Sequence, residues 1–449
     1  MTGGLKSVLW GVATRLRLLR HRQWPAWQRY RQAQSPQAGN LPSTCTARRL
    51  LLLTWEFPPQ VTGGVYRPLS FVRHAAASGW QAEVVCGPAP SGPTEAGRYL
   101  AGLMPDSVPV SRVASDTGPH PWPLPGIDGG IVNALSLYEA AAARIAPGET
   151  GVILASGPPF ANFVAGYWLA RRTGWPLVLD YRDEWTETPF RFVQKDGPNR
   201  QWETRCLERA DLVIHTTPSQ VAHARERFPV LAGKRQAVVY NGWEPGDFAT
   251  TAQPSPKDAD APITLAYLGN LGAMAAPDAF LDTLAGTLAA KPDLRARLRL
   301  RLVGHKRPEA LEKLKTFPYP EVLDLVDSIP KTEACRMMQE VDGLLLLNPP
   351  GIHRYIQGKL YEYIASGTPI LVFGSGGEMG DIVDSLGAGV TVAEGDARGM
   401  ADALSALRTS RDGDPARRRD WLASRERAVQ AQALYRELEA LVRAPGSTN

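Results

Sequence analysis

Cysteine is scarce: among 449 residues there are only Cys45, Cys86, Cys206 and Cys335, widely spaced and without a CxxC. This excludes a disulfide scaffold or a zinc ribbon and fits a reducing cytoplasm. Long apolar runs are also missing. The densest, Leu50 to Leu53 and Leu344 to Leu347, fall far short of the ~18 apolar residues that a spanning helix needs. Acidic residues are absent from residues 1–49, which carry nine Lys and Arg and leave 41 Lys and Arg against 45 Asp and Glu in the rest. The basic balance therefore belongs to an amino-terminal arm, and the mildly acidic body has no footprint for nucleic acid. With 44% apolar and 21% charged residues, the chain is neither disordered nor collagen-like.

Within the arm, Leu5, Val8, Leu9, Val12, Leu16 and Leu19 recur at helical steps, bordered by Arg15 and Arg20. Trp10, Trp24, Trp27 and Tyr30 add amphipathic aromatics. Such a segment suits an anionic membrane surface, contacted through residues 5–31 by a protein peripheral to the inner membrane face. Packing of the arm on the body is the alternative. Arg15 interrupts the apolar stretch too early for a signal peptide. Residues 1–48 are read as arm and linker.

From residue 49 onward, short apolar strands alternate with helical segments, as in parallel sheets covered on both faces. One series contains RLLLLTWEF, AEVVCG, GVILAS, PLVLDYRD, DLVIHT and AVVYNG; a second contains ITLAYLGN, RLRLVG, GLLLLN and PILVFG. Between them lies a stretch rich in Pro and Asp. The fold expected is α/β, with two doubly wound Rossmann-like domains, 49–243 and 263–410, joined by linker 244–262 and facing a central cleft. Residues 411–449 supply a carboxyl-terminal helix and tail, the helix spanning 417–443. Ligands of such sheets sit at the carboxyl ends of the strands.

Several residues lie at those ends. Gly63 and Gly64 follow the first strand, where a loop without Cβ atoms can bring amides to a phosphate, and Arg67 falls in the first turn of the next helix. SGPPF passes from a strand through Pro158 and Pro159 into a helix. Asp180, Arg182, Asp183 and Glu184 emerge from another strand, able to orient sugar hydroxyls or receive a proton; an Arg–Asp pair tying loops together is the alternative. In the second domain Lys359, Glu362, Tyr363 and Ser366 share a helix face, with Gly367 as its stop and Pro369 beyond. Glu362 is placed to accept from a ribose diol and Lys359 to meet a diphosphate.

In order, EFPPxxxGGxxR, SGPPF, LVLDYRDEW, YNGWEPGDF, YLGN and KLYEYIASGTPIL resemble the retaining glycosyltransferases of family four, which have the two-domain GT-B fold. The resemblance covers residues 50 to 410. It implies transfer of a sugar from a nucleotide-sugar donor to a glycan or lipid-linked acceptor with retention at the anomeric carbon, as in surface-polysaccharide synthesis. No metal or other cofactor is implied. The amino-terminal domain would take the acceptor and the second domain the donor. Gly63 and Gly64 would meet the diphosphate, Gly269 and Asn270 line the phosphate region, Glu362 hold the ribose, and Asp183 and Arg182 face the reacting sugar.

Two departures stand out. Where many relatives carry a first acidic residue, eight positions before Glu362, this chain has Arg354. YLGNLGAMAAPDAF also lacks the basic residues common after that strand. The diphosphate charge then falls to Lys359, Arg354, Arg67, or His305 and Lys306. Other GT-B enzymes remain as alternatives, such as a nucleotide-sugar epimerase or a transferase to a soluble or protein acceptor, and so does a donor-binding scaffold without turnover.

Overall fold

The computed structural model describes residues 24–35, 47–248 apart from 117 and 119–123, 261–408 apart from 273 and 274, and 414–442. Strands β1 (Arg49–Thr54), β2 (Gln81–Cys86), β3 (Val110–Arg112), β4 (Val152–Gly157), β5 (Leu177–Tyr181), β6 (Leu212–His215) and β7 (Gln236–Val238) form one sheet. Its order is β3-β2-β1-β4-β5-β6-β7. The second sheet holds β8 (Ile263–Leu268), β9 (Leu298–Val303), β10 (Leu323–Val326), β11 (Gly343–Leu347), β12 (Ile370–Phe373) and β13 (Gly389–Val392). These run β10-β9-β8-β11-β12-β13. Every strand pair is parallel. The order reverses between β1 and β4 and between β8 and β11, so each domain opens a ligand crevice at the carboxyl ends of those strands.

The apolar runs form central strands because helices cover both faces. In β1, Leu51 and Leu53 enter one core while Leu50 and Leu52 enter another on the opposite face. Leu344 and Leu346 of β11 likewise separate from Leu345 and Leu347. One apolar cluster runs from the first domain into the second without interruption.

The terminal segment differs from the single helix expected over 417–443. It forms two helices, Pro415–Ala423 and Arg427–Val442, because the chain crosses back between domains at residues 424–426. Trp421 stacks on Tyr361 of the second domain at 5.5 Å, whereas Tyr435 packs on Trp80 and donates to the Phe71 carbonyl at 2.8 Å.

Residues 24–34 form a helix. Ala26 and Ala33 are buried, Trp27 and Tyr30 pack on the core, and the Tyr30 ring meets Trp168 edge-on at 6.1 Å. Arg29 pairs with Glu139 at 2.7 Å. This corrects the membrane reading for Trp27, Arg29 and Tyr30, whose apolar and charged surfaces are spent on the first domain. Leu5 through Leu19 lie outside the described residues. Among the described residues, no helix is long and apolar enough to cross a membrane.

Candidate active site

The cleft is built from loops at the carboxyl ends of both sheets. After β1 the chain turns through Gly63, which is exposed, and Gly64, which is not free to change. A Cβ on Gly64 would lie 1.8 Å from Glu56 Oε2 and 2.5 Å from Arg182 Nη1. The absence of that atom lets the Arg182 guanidinium sit against the loop backbone and donate to the Gly64 carbonyl. Helix Tyr66–Arg73 follows without a side-chain N-cap, so its first amides are open to an anion.

Arg67 does not serve as a donor contact, contrary to expectation. It is 4% exposed and donates through Nε and Nη2 to Asp180, itself fully buried, while Nη1 reaches the carbonyls of Val239 and Tyr240 at 2.8 and 3.0 Å. Ser156 Oγ completes the Asp180 shell at 2.8 Å. A carboxylate buried among these donors requires its cation, and breaking such a pair costs about 3–5 kcal/mol. Arg67→Met is therefore expected to lower the urea midpoint strongly while the folded fraction binds nucleotide as before; a weakened nucleotide affinity at unchanged stability would contradict this assignment.

Arg182 is corrected in the same way. It is 8% exposed and bonds Glu56 at 3.1 Å together with the Gly64 and Pro158 carbonyls, tying three loops together instead of projecting at a sugar. Asp183, the next residue, behaves differently. Among the described residues no hydrogen-bond donor reaches its carboxylate. Burial pushes its pKa up to about 6, Glu184 and Glu56 add to the rise, and Arg182 and Arg67 oppose it.

In the second domain β8 is followed by Gly269 and β9 by Gly304, both in left-handed backbone at φ +131° and +114°. A Cβ on Gly304 would sit 2.6 Å from the Gly269 carbonyl oxygen, so the two strand ends touch only as glycines. Lys359 Nζ fills the adjoining space, 3.7 Å from the centre of the Tyr267 ring and 3.0 Å from where a Gly269 Cβ would stand. No carboxylate among the described residues forms an ion pair with it. Desolvation pushes its pKa down to about 7, against the pull of Glu362. Asn270 is exposed beside Gly269, and its carbonyl accepts from Tyr267 Oη at 2.9 Å.

Glu362 lies one helical turn beyond Lys359 on helix Gly358–Ser366, which Gly367 ends in left-handed backbone at φ +74°. Its Oε1 accepts from Lys331, whose ammonium also lies 3.7 Å from Asp247. Tyr66 sits within the fields of Lys331, Glu362, Arg427 and Asp247, and Arg427 lies over its ring at 5.0 Å. The helix that follows Gly63 and Gly64 therefore faces Glu362 across the cleft. Tyr363 is buried, and its hydroxyl accepts the Leu268 amide at 3.0 Å.

The structure places Gly269, Asn270, Lys359 and Glu362 together at the carboxyl end of β8, and Gly64 beside Arg182 and Glu56 on the first domain, next to Asp183 in sequence. Arg354 is withdrawn from the donor set, because its guanidinium is bound to Glu184. Lys306 donates to the Val326 carbonyl. His305 is exposed beyond β9 and contributes its carbonyl to the Leu271 amide at 2.8 Å. Sequence reasoning passed over Lys331, Asp247, Tyr66 and Glu56. Lys331 opens the helix Lys331–Glu340 just after β10, and recognising that edge strand would have placed it at the ligand end of the sheet.

Two facing doubly wound domains place a ligand cleft at the carboxyl ends of both sheets, and the family matches identify the chain as a glycosyltransferase that uses a nucleotide-sugar donor. A family model described as a glycosyl transferase 4-like domain matches residues 62–242, and one described as glycosyl transferases group 1 matches 262–410. The chain belongs to the GT-B glycosyltransferases of the family-four type. It is similar to D-inositol 3-phosphate glycosyltransferase of Streptosporangium roseum, 24% identical over 318 residues, which are 65% of this chain and 67% of that protein. Sucrose-phosphate synthase from Thermosynechococcus elongatus has the same fold, with a TM-score of 0.64 at 18% identity over 87% of this chain and 99% of that one. An Anabaena protein solved with UDP-glucose gives 0.53 at 15% identity, covering 88% and 97%.

Proposed function

We propose that the chain transfers a hexosyl group, with retention, from a nucleotide sugar to a lipid-linked glycan in surface-polysaccharide synthesis at the cytoplasmic membrane face. The observation that carries the transfer reading is Lys359: a desolvated ammonium without an ion-paired carboxylate among the described residues, at the carboxyl end of β8. An anionic ligand supplies the charge that this site lacks. The basic arm supports the lipid-linked acceptor.

In the reaction proposed, the bond from C1 to the diphosphate oxygen breaks as C1 bonds the acceptor oxygen on the same face. The departing phosphate oxygen takes the acceptor proton, so no protein nucleophile is needed. Lys359 and the amides after Gly63 stabilise charge on the diphosphate. Glu362 accepts from the ribose through the oxygen left free by Lys331, and Asp183 orients the acceptor hydroxyl. No metal enters this scheme. Incubation with a panel of nucleotide sugars in EDTA, followed by proton NMR of the product, tests it: one donor is expected to give a product of unchanged anomeric configuration. Inversion, or dependence on added metal, would overturn it. A second reading, favoured by the loss of an acidic residue at position 354, is donor binding without turnover; binding without hydrolysis or transfer in the same assay would select it.

Glu362→Gln keeps the shape but loses the charge-assisted bond, and nucleotide affinity is expected to fall by ~1–3 kcal/mol in calorimetry. Unchanged affinity would remove Glu362 from the ribose site. Deleting residues 1–23, which spares the helix docked on the first domain, is expected to abolish sedimentation with anionic vesicles while activity on a soluble acceptor persists. Undiminished vesicle binding would refute the role of the arm.

A further inference from the structure

Glu184 is a crowded carboxylate at the interdomain surface. It is 4% exposed, yet belongs to the loop after β5 that also carries Asp183. Arg354 donates to it through Nε at 2.9 and 2.8 Å and approaches through Nη2 at 2.7 Å. Tyr355 Oη donates at 2.5 Å, and His223 Nδ1 lies 2.6 Å away. Only His223 comes from the same domain as Glu184. Around this centre, Arg354 Nη2 reaches the Glu187 carbonyl at 2.8 Å, Thr217 Oγ1 donates to the Arg354 carbonyl at 2.6 Å, and the Tyr355 ring packs 5.3 Å from Phe190.

A buried carboxylate is stable only while its lone pairs are filled, and a guanidinium fork fixes angle as well as distance. Separating the domains would leave Glu184 with His223 alone. The elements joined are the two sides of the proposed reaction. Asp183 immediately precedes Glu184, and Arg354 and Tyr355 enter the helix bearing Lys359 and Glu362.

We propose that Glu184 is a positioning residue: by clasping Arg354 and Tyr355 it sets the distance between Asp183 on the acceptor lobe and the Lys359–Glu362 helix on the donor lobe. The residue that replaces a familiar acidic position is thereby used to hold the lobes together. This rests on the transfer reading. Because Glu184 touches neither substrate, the clasp acts on turnover and not on donor binding.

The test combines Glu184→Gln, Arg354→Met and their double variant in the full chain, measuring kcat, donor dissociation constant and radius of gyration by small-angle scattering. Each single variant is expected to lose about 10–100-fold in kcat, the scale of a small misplacement of reacting groups, with donor affinity changed by less than about threefold. The double variant should fall no further than the worse single, and the radius of gyration should rise in all three. Full kcat in both singles, multiplied losses in the double, or a loss explained by donor affinity would overturn the clasp. If Glu184→Gln does not fold, Tyr355→Phe removes one donor alone and is expected to show the same kcat-selective loss, smaller in size; wild-type kcat in that variant would count against the proposal. If the wild type turns over no nucleotide sugar, the transfer reading fails separately. Scattering still decides the clasp, because variants no more open than the wild type would contradict it.

Discussion

Asp183→Asn is expected to reduce transfer by about 10²–10³-fold while donor affinity stays near that of the wild type, the range over which a positioned carboxylate contributes to proton and hydroxyl handling. The expectation follows from isolation. Neighbouring Arg182, Asp180 and Glu184 are all consumed by structural bonds, whereas no hydrogen-bond donor among the described residues reaches Asp183. Its pKa, raised to about 6 chiefly by burial, gives the prediction a pH signature. The ionised form is the stronger acceptor for an acceptor hydroxyl, so kcat/KM should fall as pH drops through about 6, and the Asn variant should lack that acid limb. The same shift makes ionisation costly to the folded state. Its folded pKa exceeds the unfolded one, so stability is lost as pH rises through that window, and Asp183→Asn is expected to melt no lower than the wild type at neutral pH. Full activity in the variant, measured as nucleoside diphosphate release in the presence of acceptor, would remove Asp183 from the reaction.

Lys359→Met should weaken binding of the donor by about 10–100-fold, the equivalent of a charge-assisted bond to the diphosphate. Desolvation pushes the Lys359 pKa down to about 7. An arriving anion favours the charged form, so binding takes up a proton. Wild-type affinity therefore falls as pH rises above about 7, and the Met variant should be flat through that range. Calorimetry in buffers of different ionisation enthalpy reads the proton directly. Identical affinity and identical pH dependence in both proteins would show that the diphosphate lies elsewhere.

The parallel two-domain architecture was legible because nine strands lie inside the two sheets and most of them are apolar runs, a pattern imposed by helices on both faces, while the edge strand β7 was read from the apolar AVVY. The runs passed over, β3, β10 and β13, are sheet edges with largely half-exposed residues; an edge strand is covered less and so writes a weaker pattern. That omission also hid Lys331. The division of labour among Arg67, Arg182 and Arg354 was equally invisible. All three occupy ligand-edge segments, and only folding brings Asp180, Glu56 and Glu184 against them. Lys359 and Glu362 were readable because helical spacing fixes their shared face locally. The terminal helix was read as unbroken since its apolar periodicity continues across residues 424–426, where the chain changes domain.

Thermal denaturation with a panel of nucleoside diphosphates and their sugars, on the wild type and Lys359→Met side by side, is the most direct measurement. A ligand that binds only the folded state raises the melting temperature in proportion to its affinity. One nucleotide class should stabilise the wild type markedly and the variant little. No shift with any nucleotide, or equal shifts in both proteins, would contradict a donor site built around Lys359.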